Sequence, residues 1–161
     1  MAIRPLLRWP DPGLKRKAEP VSGDAAALAR DLLDTLRAAP GVGIAGPHAG
    51  IFERIVVLDL DGVAETYLDP VILSSCDETA RHTEGSIAMP GVTEEVERPA
   101  RIRLRWRTLE GETREEEIEG FRATCLQHEI DQLDGIFWIE RLSRLKRERV
   151  IKRFEKISRR A

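Results

Sequence analysis

The sequence predicts an α+β fold in which antiparallel strands surround one central helix and a further helix ends the chain. Three stretches carry that prediction. Around residues 122–135, RATCLQHEIDQLDG, Leu126, Ile130 and Leu133 fall on one side of a helix, and Phe121, Cys125, His128 and Gln132 on another, at about 100° per residue. Only Thr124, Gln127, Asp131 and Asp134 are left for water, and a helix covered on two sides belongs at the centre of its domain. Arg101 to Leu109 alternates Ile102, Leu104, Trp106 and Thr108 with four arginines, which gives one buried face and one wet face. Glu110-Gly111 turns it into an antiparallel partner, Glu112 to Glu119, whose glutamates oppose the arginines in a solvated ladder. These acids cancel the basic stripe and argue against a nucleic-acid surface there. Arg144 to Arg160 sets Val150, Ile151, Phe154 and Ile157 on the packing side of a helix otherwise covered by basic residues.

The other elements follow in chain order. Residues 1 to 23 hold turn-forming Pro and Gly with little periodicity and read as an extended wrap. Asp24 to Ala39 is a helix, with Leu28, Leu32 and Leu36 every four residues, Leu33 beside them and Pro40 as its stop. Pro40 to Gly50 contains four glycines, the composition of a loop that turns sharply or approaches something closely. It lacks the Lys-Ser/Thr pair of a phosphate-cradling loop. Arg54 to Leu60 reads as a buried strand ending at the Asp61-Gly62 turn. Thr66 to Leu73 is a second strand whose Pro70 makes it an edge or bulged strand. Polar Ser74 to Thr83 follows, and beyond the Gly135 stop Ile136 to Ile139 reads as a short apolar strand.

With 161 residues, the chain suffices for one domain, residues 1–161, with a sizeable core. A charged fraction of 34% and 42% hydrophobic residues belong to a soluble globular protein. No run approaches the roughly 18 apolar residues of a membrane span, and no apolar leader with a small-residue cleavage site opens the chain. A cytoplasmic location is the resulting expectation. Cys76 and Cys125 are expected to be free thiols, with Cys125 in the core. The net charge of −2 conceals an asymmetry, since ten Lys or Arg against two Glu lie between Arg141 and Ala161. A basic tail on a more acidic body suggests a polyanionic partner.

The central helix also carries chemistry. Two imidazoles at i and i+4 lie one above the other and can hold one divalent ion, while an intervening Glu serves as base to a bound water. Here the HExxH-type pattern reads His128-Glu129-Ile130-Asp131-Gln132, with a carboxamide in place of the second imidazole. On its own the pair His128-Glu129 is weak evidence, and a partly buried His held by a hydrogen bond is its commoner meaning.

Three stretches, Gly41 to His48, Glu84 to Gly91 and Gln127 to Gly135, together resemble the motifs of the peptide deformylases. Gly41-Val42-Gly43-Ile44-Ala45-Gly46-Pro47-His48 resembles their first motif, GxGLAAxQ. Glu84-Gly85-Ser86-Ile87-Ala88-Met89-Pro90-Gly91 resembles their second, EGCLSxPG. Gln127 to Gly135, QHEIDQLDG, resembles their third, QHExDHLxG. Arg8-Trp9-Pro10-Asp11-Pro12 and Ala18-Glu19-Pro20-Val21 look like the family's N-terminal segment, so the resemblance covers nearly the whole chain and implies the peptide deformylase-like fold.

The resemblance implies metal-ligand positions at Ser86, His128 and Gln132, a proton-handling Glu129, and His48 where the family has its oxyanion Gln. It also implies Ile87 as a backbone donor and Gly43 as the residue that lets the loop approach closely. A protonated serine and a neutral carboxamide are poor donors to a transition ion compared with thiolate and imidazole. We therefore expect no cofactor at the usual place, and a divalent metal (iron, zinc or nickel) if any. The leading expectation is a deformylase-like protein with little or no activity that binds N-terminal Met or formyl-Met peptides, and the ribosome through its basic C-terminal helix. The alternative is an active deformylase acting on formyl-methionine of nascent proteins. His48, His128 and Glu129 as a rewired ion site, and Ser86 with His48 or His128 as a serine hydrolase, are weaker alternatives.

Overall fold

The structure, a computed structural model, describes residues 2–160; Met1 and Ala161, the ends of the expected 1–161 domain, lie outside the described residues. The chain runs through α1 (Ala25–Ala38), β1 (Gly43–Ala45), β2 (Ile55–Leu60), β3 (Val63–Ser75), β4 (Thr79–Ser86) and β5 (Met89–Pro99). It continues through β6 (Arg101–Arg107), β7 (Thr113–Glu119), α2 (Gly120–Leu133) and α3 (Arg144–Arg160). Five strands form one sheet in the order β1-β2-β3-β6-β7, and β4 and β5 pair apart from it as a hairpin.

The alternation in β6 fixes which face of the sheet is covered. Ile102, Leu104 and Trp106 are buried while Arg103 and Arg105 face water. Against that inner face lies α2, whose Ala123, Leu126, Ile130 and Leu133 join Val56, Leu58, Tyr67 and Ile118 in the main core. Each large aliphatic side chain removed from water there contributes about 1.5–3 kcal/mol. A second core joins Met89, Val92 and Val96 of the hairpin to Trp138 and to Val150 and Phe154 of α3. A third sets Leu32 and Leu36 of α1 against Ile55 and Val57 of β2. The start of α1 is fixed by Asp24, whose side chain accepts the Ala27 N–H at 3.1 Å, as a helix N-cap does. Gly135, at φ 77°, follows the last turn of α2 and fits the left-handed position that favours glycine.

Several expectations are corrected. The strand holding Pro70 is bulged but is no edge, because β3 pairs with β2 on one side and β6 on the other, and its register slips between Leu68 and Val71. The slip takes up the missing Pro70 N–H, and Asp69 there adopts φ 47°. Ile136 to Ile139 is not a strand: Trp138–Arg141 is a 3-10 turn whose entry is fixed by the Phe137 N–H donating to Glu140 Oε2 at 2.7 Å. On α2 the expected wet wedge is partly dry. Thr124 and Gln127 are buried under β4 and β5, bonded to His82 Nδ1 and to the Pro99 carbonyl, whereas Phe121 is 46% exposed. Ile157 of α3 is likewise 42% exposed. No helix among the described residues is long and apolar enough to cross a membrane.

Candidate active site

A cleft of about 690 Å³ opens where the end of α1, the β1 strand, the β4–β5 turn and the start of α2 converge, and His48, His128 and Glu129 line it. Gly43 lets this happen. A Cβ on it would stand 2.7 Å from Glu129 Oε2 and 2.9 Å from Leu58 Cδ2, so no larger residue fits between β1 and the carboxylate.

His48 sits in a 3-10 turn, Gly46–Ala49, and is 1% exposed. Its Nδ1 accepts the Ala45 N–H at 3.0 Å, which places the proton of the neutral ring on Nε2. That Nε2 is buried without a partner, as is Glu129 Oε1, which lies 3.7 Å from His48 Nδ1. Burial, helped by the charge on His128, pushes the His48 pKa down to about 3, so the ring stays neutral. Burial raises Glu129 to about 7 against the pull of His128. The site thus combines a neutral N–H donor with a carboxyl group able to take up or release a proton near neutrality.

A buried ionic chain supports His128. Its Nδ1 is 2.8 Å from Glu84 Oε1. Arg98 donates to both Glu84 oxygens at 2.6 and 2.9 Å and to Asp131 Oδ2 at 2.8 Å, and Asp131 in turn accepts two bonds from Arg141. Burial alone would raise the Glu84 pKa, but His128 and Arg98 outweigh it and hold Glu84 at about 2. For His128, burial is outweighed by Glu129 and Glu84, and its pKa is raised. An ionised Glu84 accepts the Nδ1–H of His128 and so fixes that ring's orientation.

Two of the residues at metal-ligand positions are otherwise engaged. The Ala88 N–H donates to Ser86 Oγ at 3.0 Å. Gln132, 2% exposed, donates from Nε2 to the Leu14 carbonyl at 2.6 Å, and it is not among the residues lining the cleft. A hydroxyl and a turned-away carboxamide beside one imidazole do not fit a divalent transition ion. Among the described residues no three His, Cys, Asp or Glu side chains are grouped to hold one ion. Cys125 lines the cleft, but burial pushes its pKa up to about 12, so it remains a thiol; Cys76 is also free. Ile87 lines the cleft from the turn between β4 and β5. The structure brings His48, Gly43, Ser86, Ile87, His128 and Glu129 around one cavity and leaves Gln132 outside it.

The sequence marks Glu84 only as the first residue of the second motif, without its bond to His128, and does not mark Arg98. The signal was the alternation Val92, Glu94, Val96, Arg98, which puts Arg98 on the inward face of β5, where it is 5% exposed.

The family model for polypeptide deformylase matches residues 3–148. A peptide deformylase-like protein of Rhizobium meliloti is 56% identical over 164 residues, which cover 99% of this chain and 95% of its own length. A peptide deformylase of Afipia carboxidovorans is 43% identical, covering 97% and 96%. Among solved structures, a peptide deformylase from Legionella pneumophila superposes with a TM-score of 0.91 at 34% identity, over 98% of this chain and 96% of that one. A peptide deformylase from Ehrlichia chaffeensis in complex with actinonin gives 0.90 at 28% identity, over 99% of each.

Proposed function

We propose, for a chain that belongs to the polypeptide deformylase family, that its cleft binds the N-terminal Met or formyl-Met end of a peptide and hydrolyses it little or not at all. The observation that carries this reading is the hydrogen bond from Gln132 to the Leu14 carbonyl. It commits one ligand position to holding the N-terminal wrap, while Ser86 offers only a protonated hydroxyl in another. With one imidazole left, nothing lowers the pKa of an attacking water, and Glu129 alone would have to generate the nucleophile. Binding needs none of this. A peptide carbonyl can accept from His48 Nε2–H, and from a backbone N–H at Ile87, in a cleft that also offers apolar side chains.

The test combines calorimetric binding of formyl-Met-Ala-Ser and Met-Ala-Ser with a deformylation assay and metal analysis on one anaerobic, untagged preparation. Binding without turnover is expected. Near-stoichiometric metal with turnover would overturn the reading.

A second reading, an active deformylase, is favoured by one observation. Glu129 Oε1 and His48 Nε2 are both buried and unpartnered at the cleft, as a base and a donor waiting for substrate would be. The two readings separate on Ser86→Cys with Gln132→His: the first predicts activity rising from nothing, the second from a measurable rate. The basic α3 supports a further part of the proposal, docking on ribosomal RNA, since its exposed face carries most of the tail's excess positive charge.

A further inference from the structure

Residues 7–9 are pinned beside the cleft. The Leu7 N–H donates to the His48 carbonyl at 2.8 Å and the Trp9 N–H to the Ala88 carbonyl at 2.9 Å, while the Arg8 carbonyl accepts the Asp11 N–H at 2.8 Å. Leu7 and Trp9 pack against the second core, whereas Arg8 between them lines the cleft and is exposed. Its backbone is therefore anchored on both sides to the loops that carry the site.

The charges lining the cleft leave Arg8 unbalanced. Apart from the two histidines they are Arg4, Arg8, Glu84 and Glu129. Arg4 is neutralised by Asp31 at 3.0 Å, and Glu84 is shared by Arg98 and His128. Glu129 is 5% exposed at the floor. Among the described residues Arg8 has no ion pair, and the other exposed residues that line the cleft, among them Ile3, Val42, Thr83, Thr93 and Phe121, carry no charge. A guanidinium in such surroundings presents a planar fork that suits a carboxylate.

We propose that Arg8 is a specificity-determining residue that favours peptides with an acidic side chain close behind the N-terminal residue. This rests on the peptide-binding reading above. A peptide whose first residue sits at His48 and Glu129 lies in the cleft that Arg8 also lines, and at about 3.3 Å per residue the residues close behind the first are the ones placed to meet the guanidinium.

The test measures dissociation constants for C-terminally amidated formyl-Met-Ala-Ser, formyl-Met-Asp-Ser, formyl-Met-Ala-Asp and formyl-Met-Lys-Ser, so that the side chain is the only carboxylate. The expectation is that at least one acidic peptide binds about three- to tenfold more tightly than the neutral one, with the gap closing in about 0.5 M salt. Arg8→Lys should retain part of the preference, Arg8→Ala should remove it, and Arg8→Glu should shift it to the lysine peptide. Binding blind to charge, or a preference that survives Arg8→Ala, overturns the role of Arg8 and leaves peptide binding standing. No binding of any of the four overturns both. The side chain is exposed and its neighbours carry the packing, so these variants are expected to fold.

Discussion

At the scale of single residues, Glu129 ties the site to the stability of the fold. Its carboxyl group is raised from 4.5 to about 7, so between those values the folded chain holds a proton that the unfolded chain has released. Stability contributed by that proton is present below about pH 4.5 and lost as pH rises through 7. Glu129→Gln should therefore raise the unfolding free energy at pH 8 by about 1–3 kcal/mol and leave it nearly unchanged at pH 4, as paired thermal melts would read. Gly43→Ala should act oppositely. Its Cβ meets Glu129 Oε2 and Leu58 Cδ2 within 3 Å, which costs about 1–3 kcal/mol and displaces the carboxylate, so calorimetry should find weakened peptide binding. The close approach at Gly43 was legible in the motif alone. The bond made by Gln132 was not, because its partner, Leu14, lies 118 positions away and no local pattern predicts which backbone carbonyl a carboxamide will meet.

At the scale of elements, the β4–β5 hairpin and α2 are joined through Arg98, buried between Glu84 and Asp131. Arg98→Met removes two charged hydrogen bonds from the buried Glu84 and leaves it with His128 alone, which should destabilise by about 3–5 kcal/mol. Arg98→Met combined with Glu84→Gln should recover part of that loss in denaturant unfolding. The pH dependence here is the reverse of that for Glu129. Glu84 is held at about 2, so its contribution is present above about pH 4.5 and disappears as pH falls towards 2. α1, β2, the β6–β7 hairpin, α2 and α3 were all legible in the sequence, because each shows its own periodicity and a clear stop. The hairpin was harder to read: its β4 half is polar, and its β5 half begins in a Pro-Gly stretch that resembles a loop. The wet side of α2 was misjudged for the same reason, since what covers Thr124 and Gln127 is that hairpin.

At the scale of the whole molecule, the charge is divided. The chain is slightly acidic overall, yet α3 presents a basic face. Binding to an RNA hairpin should weaken steeply between about 50 and 200 mM salt, and reversing Lys152 and Lys156 to Glu should abolish it in a gel-shift assay while melting curves stay unchanged. The wrap formed by residues 2–20 has a different consequence. It is hydrogen-bonded through Leu7 to His48, through Trp9 to Ala88 and through Ala18 to Leu133, and Gly135 lies so close that a Cβ there would overlap the Lys15 carbonyl oxygen. During synthesis this segment emerges well before its docking surface at the end of α2, which lies far later in the chain. The segment must therefore wait, unseated, until α2 has been made, and the cleft it lines takes shape only then.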